Sequence, residues 1–115
     1  MKAENSHPLV SVCVPTYNGA AFLQDALDSI NAQTYSNIEI VVSDDASTDA
    51  TLEILKTFST SFPIRIIAHT PNGIGANWNH CLENANGDYV KFLFQDDVLY
   101  PDCIAEMMDI LKAHP

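Results

Sequence analysis

Four short apolar runs, each followed by a stretch with helical periodicity, leave this chain little choice of architecture. The runs are Leu9-Val-Ser-Val-Cys-Val14, Ile38-Glu-Ile-Val-Val-Ser43, Ile64-Arg-Ile-Ile-Ala68 and Tyr89-Val-Lys-Phe-Leu-Phe94. All are rich in β-branched or aromatic residues and too short for a buried helix, so they read as strands. Pro15 stops the first, and Thr16-Tyr-Asn-Gly19 supplies a turn. Phe22, Leu23, Ala26, Leu27 and Ile30 then recur at helical spacing from Ala20 to Gln33, with Gln24, Asp25, Asp28 and Ser29 on the opposite side. A second helix carries Leu52, Ile54, Leu55 and Phe58, with Ser47 or Thr48 as its N-cap. A third, over Ala76 to Asn86, is built around Trp78, Cys81, Leu82 and Ala85; a fourth has Pro101 in its first turn and Ile104, Met107, Met108 and Leu111 on its apolar side. Strands apolar on both faces that alternate with helices predict an α/β fold. Its three layers are α-β-α, with a mainly parallel sheet joined by right-handed crossovers and covered on both sides.

At 115 residues the chain is sized for one domain, with residues 1–8 as a polar lead-in and 9–115 as the folded unit. Fifteen acidic residues against five basic ones give a formal net charge of −10. Nucleic acid and anionic membranes are poor partners for that surface, and a phosphorylated ligand needs local help from a cation or from backbone amides. Cys13, Cys81 and Cys103 are an odd number without C-x-x-C spacing, and they read as small buried hydrophobes of a reducing compartment. With no signal peptide and no run of 18 apolar residues, the expected location is the cytoplasm, or the inner membrane face through a larger protein or partners.

Ligands of parallel sheets bind at the carboxyl ends of the strands. That rule selects Pro15, Thr16, Tyr17 and Asn18 after the first strand, Asp44 and Asp45 after the second, and Gln95, Asp96 and Asp97 after the fourth. Each cluster has a plain structural reading: a β-α turn, a capped helix start and a solvated loop. Each also has a chemical one. Tyr17 can form a platform beside a base, Thr16 and Asn18 can supply polar contacts, and Asp45 can accept a hydrogen bond from a ligand N–H such as a uracil imide. Two adjacent carboxylates repel unless solvent, a proton or a metal intervenes, and hard cations take oxygen ligands, so Asp96 and Asp97 suit Mg2+ or Mn2+. Trp78 reads as helix packing, and His69 and His80 lack partners at metal-ligand spacing.

Taken together and in this order, Val-Pro-Thr-Tyr-Asn, Asp-Asp-Ala-Ser-Thr-Asp and Gly-Asp-Tyr-Val-Lys-Phe-Leu-Phe-Gln-Asp-Asp resemble the N-terminal, nucleotide-sugar-binding portion of family 2 glycosyltransferases, over about Leu9 to Pro115. The resemblance implies a Rossmann-like half of a GT-A fold with strand order 3-2-1-4. It also implies sugar transfer from a nucleoside diphosphate sugar, most often a UDP-sugar, to an acceptor hydroxyl of a glycan, lipid or protein, with inversion and metal assistance. By it Pro15, Thr16, Tyr17, Asn18, Asp45 and Asp96 would form the nucleotide site, and Asp97 would hold Mn2+ or Mg2+. The general base would come from an acceptor-binding part that follows this chain's last helix, so no catalytic base is assigned here. Two departures stand out: Asn77-Trp78-Asn79 replaces an Ala-Arg-Asn common in relatives, and Gln95-Asp-Asp replaces an Asp-x-Asp-Asp ending. The alternative is a non-catalytic nucleotide-binding or interaction module of the same fold. In either case the fourth strand would be an exposed apolar edge, open to a second copy or to the remainder of the fold.

Overall fold

A computed structural model describes residues 7–113; most of the polar lead-in lies outside them. Four strands, β1 (Val10–Thr16), β2 (Ile38–Asp44), β3 (Ile64–Ala68) and β4 (Tyr89–Phe92), alternate with four helices, α1 (Ala20–Asn31), α2 (Thr51–Thr57), α3 (Ile74–Glu83) and α4 (Cys103–Ala113). All three strand pairings are parallel, in the order β3-β2-β1-β4. The expected α/β class and strand order are therefore those observed.

Alternation along the central strands sends side chains to two unequal cores. Val10, Val12 and Val14 of β1 and Ile38, Ile40 and Val42 of β2 pack with Leu23, Ala26, Leu27 and Ile30 of α1, Leu55 of α2, and Ile104 and Met108 of α4. Cys13 and Val41 face the other way, onto Cys81 of α3. Three helices thus cover one face and α3 alone covers the other, so the sheet is covered on both sides as expected, but unequally. The hydrogen bond between Cys13 and Cys81, together with burial, pushes the Cys13 thiol above its ordinary range. That suits an inert core residue and not a nucleophile.

Several local expectations are corrected. Pro15 does not end β1, which continues to Thr16. Cys13 accepts from Leu93 on the β4 side, and Pro15, two residues on, faces the same side beyond the last β4 pairing at Phe92. Its missing N–H therefore costs no ladder bond. On α1, Phe22 is exposed and Ser29 is buried; Ser29 Oγ donates to the Ala26 carbonyl at 2.6 Å and accepts the Leu99 N–H at 3.0 Å, which satisfies it inside. Neither Ser47 nor Thr48 caps α2. The N-cap position falls to Ala50, which has no side-chain acceptor; Asp49, the residue before it, accepts from the Thr51 N–H at 2.9 Å and also from the Ala20 N–H at 3.1 Å, so one carboxylate meets the starts of two helices. The Thr51 hydroxyl above all, with these N–H donors, holds the Asp49 carboxyl below its usual range against the opposing effect of burial. Pro101 precedes α4 instead of lying in it, because its carbonyl accepts from Thr34, on the loop after α1.

On the face covered by α3, a polar network replaces apolar packing at the amino end of the strands. Glu39, 8% exposed, accepts from Ser11 Oγ at 2.5 Å and from the Asn86 N–H at 2.7 Å, and pairs with Arg65 at 3.4 Å. Ser11 Oγ in turn accepts the Gly87 N–H at 2.7 Å. One carboxylate therefore joins β1, β2, β3 and the turn that leads into β4.

Candidate functional site

At the opposite, carboxyl end of the sheet, a cleft of about 470 Å³ is lined by Pro15, Thr16, Tyr17 and Asp45, by Gly73, Ile74, Asn77 and Trp78, and by Phe94, Gln95 and Asp96. The fold thus brings six of the residues selected from sequence, Pro15, Thr16, Tyr17, Asp45, Gln95 and Asp96, to one opening, while Asp44 is buried beneath it. Asn18 and Asp97 adjoin it without lining it.

The loops at its floor are locked to each other by side-chain to backbone bonds. Asn18, at φ +48°, donates its N–H to Ser47 Oγ at 2.9 Å and accepts the Thr48 N–H on Oδ1 at 2.8 Å. The Asn18 side chain therefore ties two loops together and is not a free ligand contact. Asp44, fully buried, accepts from Thr16 Oγ1 and Ser47 Oγ, each at 2.6 Å. That commitment takes up the Thr16 hydroxyl proton, and Thr16 is 1% exposed. Tyr17 is 53% exposed at the rim, free to meet a flat ligand.

Asp45 is nearly buried, and its two oxygens accept the Asn72 N–H at 2.8 Å and the Gly73 N–H at 3.2 Å. Gly73, at φ +88°, occupies the left-handed region that lets the loop turn both amides inward. A carboxylate has roughly four acceptor positions, so Asp45 keeps capacity for a ligand N–H while its position is fixed by the loop.

Gln95 explains one departure from the family's pattern. Its Oε1 accepts the Tyr17 N–H at 2.8 Å and its Nε2 donates to the Tyr17 carbonyl at 2.9 Å. An amide can make both bonds, whereas a carboxylate can only accept. Gly19 allows this approach, since a Cβ there would lie 2.2 Å from Gln95 Oε1. The acidic turn is thereby pinned beside Tyr17. β4 itself ends at Phe92, two residues earlier than expected, and Asp96 and Asp97 stand on the turn beyond it, closed by the Asp97 N–H to the Phe94 carbonyl at 2.9 Å.

Both of these carboxylates are exposed, and among the described residues neither accepts a hydrogen bond nor forms an ion pair. No group of three or more His, Cys, Asp or Glu side chains among those residues forms a preassembled metal cage. The donor set fits Mg2+ or Mn2+ of the kind held by one or two carboxylates with water and substrate phosphates completing the shell.

Trp78, expected to pack, is 41% exposed and forms the far wall, with its ring centroid 5.3 Å from Phe94 and 6.1 Å from Phe92. Asn77, unassigned from sequence, is 4% exposed and reaches from α3 to the Thr16 carbonyl at 3.1 Å. Helical periodicity places Asn77 beside Cys81 on the inward face, a signal that was available; its partner on β1 was not.

Comparisons with known proteins point the same way. The model of the family described as glycosyl transferase family 2 matches residues 11–115. An uncharacterized glycosyltransferase of Rickettsia typhi is 39% identical over 112 residues, which are 97% of this chain and 35% of that protein. Glycosyltransferase GlyA of Streptococcus pneumoniae is 45% identical over 96 residues, 83% of this chain and 14% of that one. Among solved structures, residues 1–349 of S. aureus TarS in complex with UDP superimpose with a TM-score of 0.86 at 30% identity, covering 92% of this chain and 32% of that one. A mannosyltransferase of Pyrobaculum calidifontis in complex with GDP-Man and Mn2+ gives 0.75 at 32% identity, covering 80% and 28%. The chain thus spans about a third or less of the length of these proteins.

Proposed function

The chain belongs to glycosyl transferase family 2, and from that premise we propose that it forms the donor-nucleotide half of a metal-assisted, inverting glycosyltransferase that uses a UDP-sugar. The observation that carries this reading is the convergence of Tyr17, Asp45 and Asp96 on one cleft, with Asp97 beside it. Structural relatives bound to UDP, to UDP-GlcNAc, and to GDP-Man with Mn2+ support it.

In this reading the base lies against Tyr17, its imide N–H donates to Asp45, and the ribose and diphosphate run past Asp96. The described lining of the cleft contains no lysine or arginine. The chain's own contribution to the leaving group would therefore be the Asp97 carboxylate, which would hold a divalent cation. Such a cation supplies Lewis-acid neutralisation of the developing charge. Transfer is a single displacement: the acceptor oxygen bonds to the anomeric carbon as the carbon–oxygen bond to the diphosphate breaks, and the diphosphate keeps the electron pair. The acceptor proton goes to a general base that we assign to sequence outside this chain, and we place the reaction in the cytoplasm.

Calorimetry of the chain with UDP, GDP and other nucleoside diphosphates, with and without Mn2+, tests this directly. Micromolar, metal-dependent binding of UDP without detectable sugar transfer is expected; no metal-dependent binding of any nucleotide would sink the reading.

We also propose that the free edge of β4 associates. Tyr89 and Val90 are 38% and 37% exposed on a strand that, among the described residues, pairs only with β1. Sedimentation is expected to show concentration-dependent dimers that Val90→Lys weakens; a monomer at every concentration would count against it.

A further inference from the structure

Resting on that nucleotide reading, we propose that His69 is a positioning residue of the donor site, and that it holds the cleft in its binding form as a doubly protonated imidazolium.

The assignment follows from which of its neighbours can donate. The Thr16 carbonyl can only accept, and Asn77 Nδ2 lies 3.1 Å from it, which fixes the Asn77 amide with Oδ1 pointing away. Asn77 Oδ1 lies 2.8 Å from His69 Nε2, so that ring nitrogen carries a proton. His69 Nδ1 lies 2.7 Å from the Thr70 carbonyl, another group that can only accept, so it carries one too. A neutral imidazole has a single N–H and would leave one nitrogen lone pair facing an oxygen.

The surroundings favour the cation. The Asp45 carboxylate stands 3.6 Å from Nδ1, an ion-pair distance, and the His69 side chain is 11% exposed. Asp44, at the end of β2, adds a second negative charge. From α3 the facing titratable group is His80, whose ring centroid is 4.2 Å away and which itself pairs with Glu83 at 3.8 Å. Burial pulls the His69 pKa down, but the bonds to Asn77 and Thr70 and the charges of Asp45 and Asp44 outweigh it, leaving a net rise above the ordinary 6.5.

His69 thus links three parts of the cleft lining: it sets the Asn77 amide, which holds the Thr16 carbonyl, and it neutralises Asp45 from behind. Loss of one proton sets a nitrogen lone pair against an oxygen, and either Asn77 turns or α3 shifts. Because the binding form holds the extra proton, affinity for the donor is full below the His69 pKa and falls as pH rises through it.

The test is affinity for a UDP-sugar with Mg2+, measured from about pH 6 to about pH 8.5. A fall of roughly tenfold across that range is expected, the scale of one charge-assisted hydrogen bond. His69→Gln is expected to bind about tenfold more weakly at the low end and to lose the pH dependence, while His80→Gln keeps the parent profile. Independently of binding, the nitrogen-15 spectrum of His69 is expected to show both ring nitrogens protonated at the low end. A flat profile for the parent protein, a profile that moves with His80, or a neutral His69 at about pH 6 would overturn the role of His69 while leaving the nucleotide site standing. Absence of binding at every pH would instead remove the nucleotide reading, and this role with it.

Discussion

Asp97→Ala is expected to abolish metal-dependent nucleotide binding, weakening UDP in the presence of Mn2+ by on the order of a hundredfold or more, since Lewis-acid neutralisation of a diphosphate is worth several kcal/mol. The size follows from what the cleft lacks. Its lining offers a carboxylate at Asp45 and another at Asp96 but no lysine or arginine, within a chain of formal charge −10. A diphosphate entering that field without a cation meets net repulsion. Asp97 is exposed and has no partner among the described residues, so its removal leaves no buried group unsatisfied and stability is expected to stay within about 0.5 kcal/mol. The two outcomes are read together by calorimetry with and without Mn2+ and by thermal denaturation without ligand. Metal-dependent binding unchanged in Asp97→Ala would remove Asp97 from the site.

Glu39→Ala is expected to act in the opposite sense, costing stability and sparing the site. Glu39 is 8% exposed and satisfies Ser11 Oγ, the Asn86 N–H and Arg65 at once. Alanine leaves the buried Ser11 hydroxyl and the part-buried Asn86 N–H without their acceptor and takes one partner from the Arg65 guanidinium, which keeps the Asn84 carbonyl and the Asn86 side-chain oxygen. Arg65 is 44% exposed and stays solvated, so the cost comes from the unpaired hydroxyl and amide, at about 1–3 kcal/mol each, a large share of the roughly 5–15 kcal/mol available to a domain. Urea denaturation is expected to show a midpoint lowered accordingly. Glu39→Gln, which keeps an acceptor for one of the donors, is expected to recover part of the loss. Because Glu39 lies at the amino end of β2 and Asp45 follows its carboxyl end, nucleotide affinity of the folded fraction is expected to be unchanged. A loss under about 1 kcal/mol would show that water replaces the carboxylate.

The two variants separate two ends of one sheet, and the ends differ in how legible they were. Asp45 and Asp96 could be selected from sequence because a parallel sheet sends successive strand ends to the same edge. Glu39 could not, because a single acid inside an apolar run gives no sign of its partners; these arrive from positions 11, 65 and 86. The same holds for Trp78. Helical spacing puts it in a helix, correctly, but only the position of α3 over β1 and β2 decides that its ring stands half-exposed against Phe94 at the cleft.

Local corrections have local causes. Residue type suggests Ser47 or Thr48 as the N-cap of α2, yet those residues are held by Asp44 and Asn18, the helix begins later with Ala50 at the N-cap, and Asp49 just before it accepts the Thr51 N–H. Ser29 looked solvent-facing because its polarity matched its helix position; burial is tolerated because Leu99, seventy residues away, supplies a donor.

What the amino-acid sequence determined by itself was whatever depends on period and order. The alternation of apolar runs with helical stretches sets the α/β class, and three polar strand ends in order point to one edge and to the nucleotide-sugar resemblance. What the tertiary structure alone decided was which of those side chains remain available. Thr16 and Asn18 are consumed in holding loops together, Tyr17, Asp96 and Asp97 stay open, Gln95 holds Tyr17, Asn77 holds Thr16, and His69 holds Asn77 and Asp45. The reason is physical: a polar group buried by folding must find a partner, and the partner's identity depends on distances between segments that no local pattern encodes.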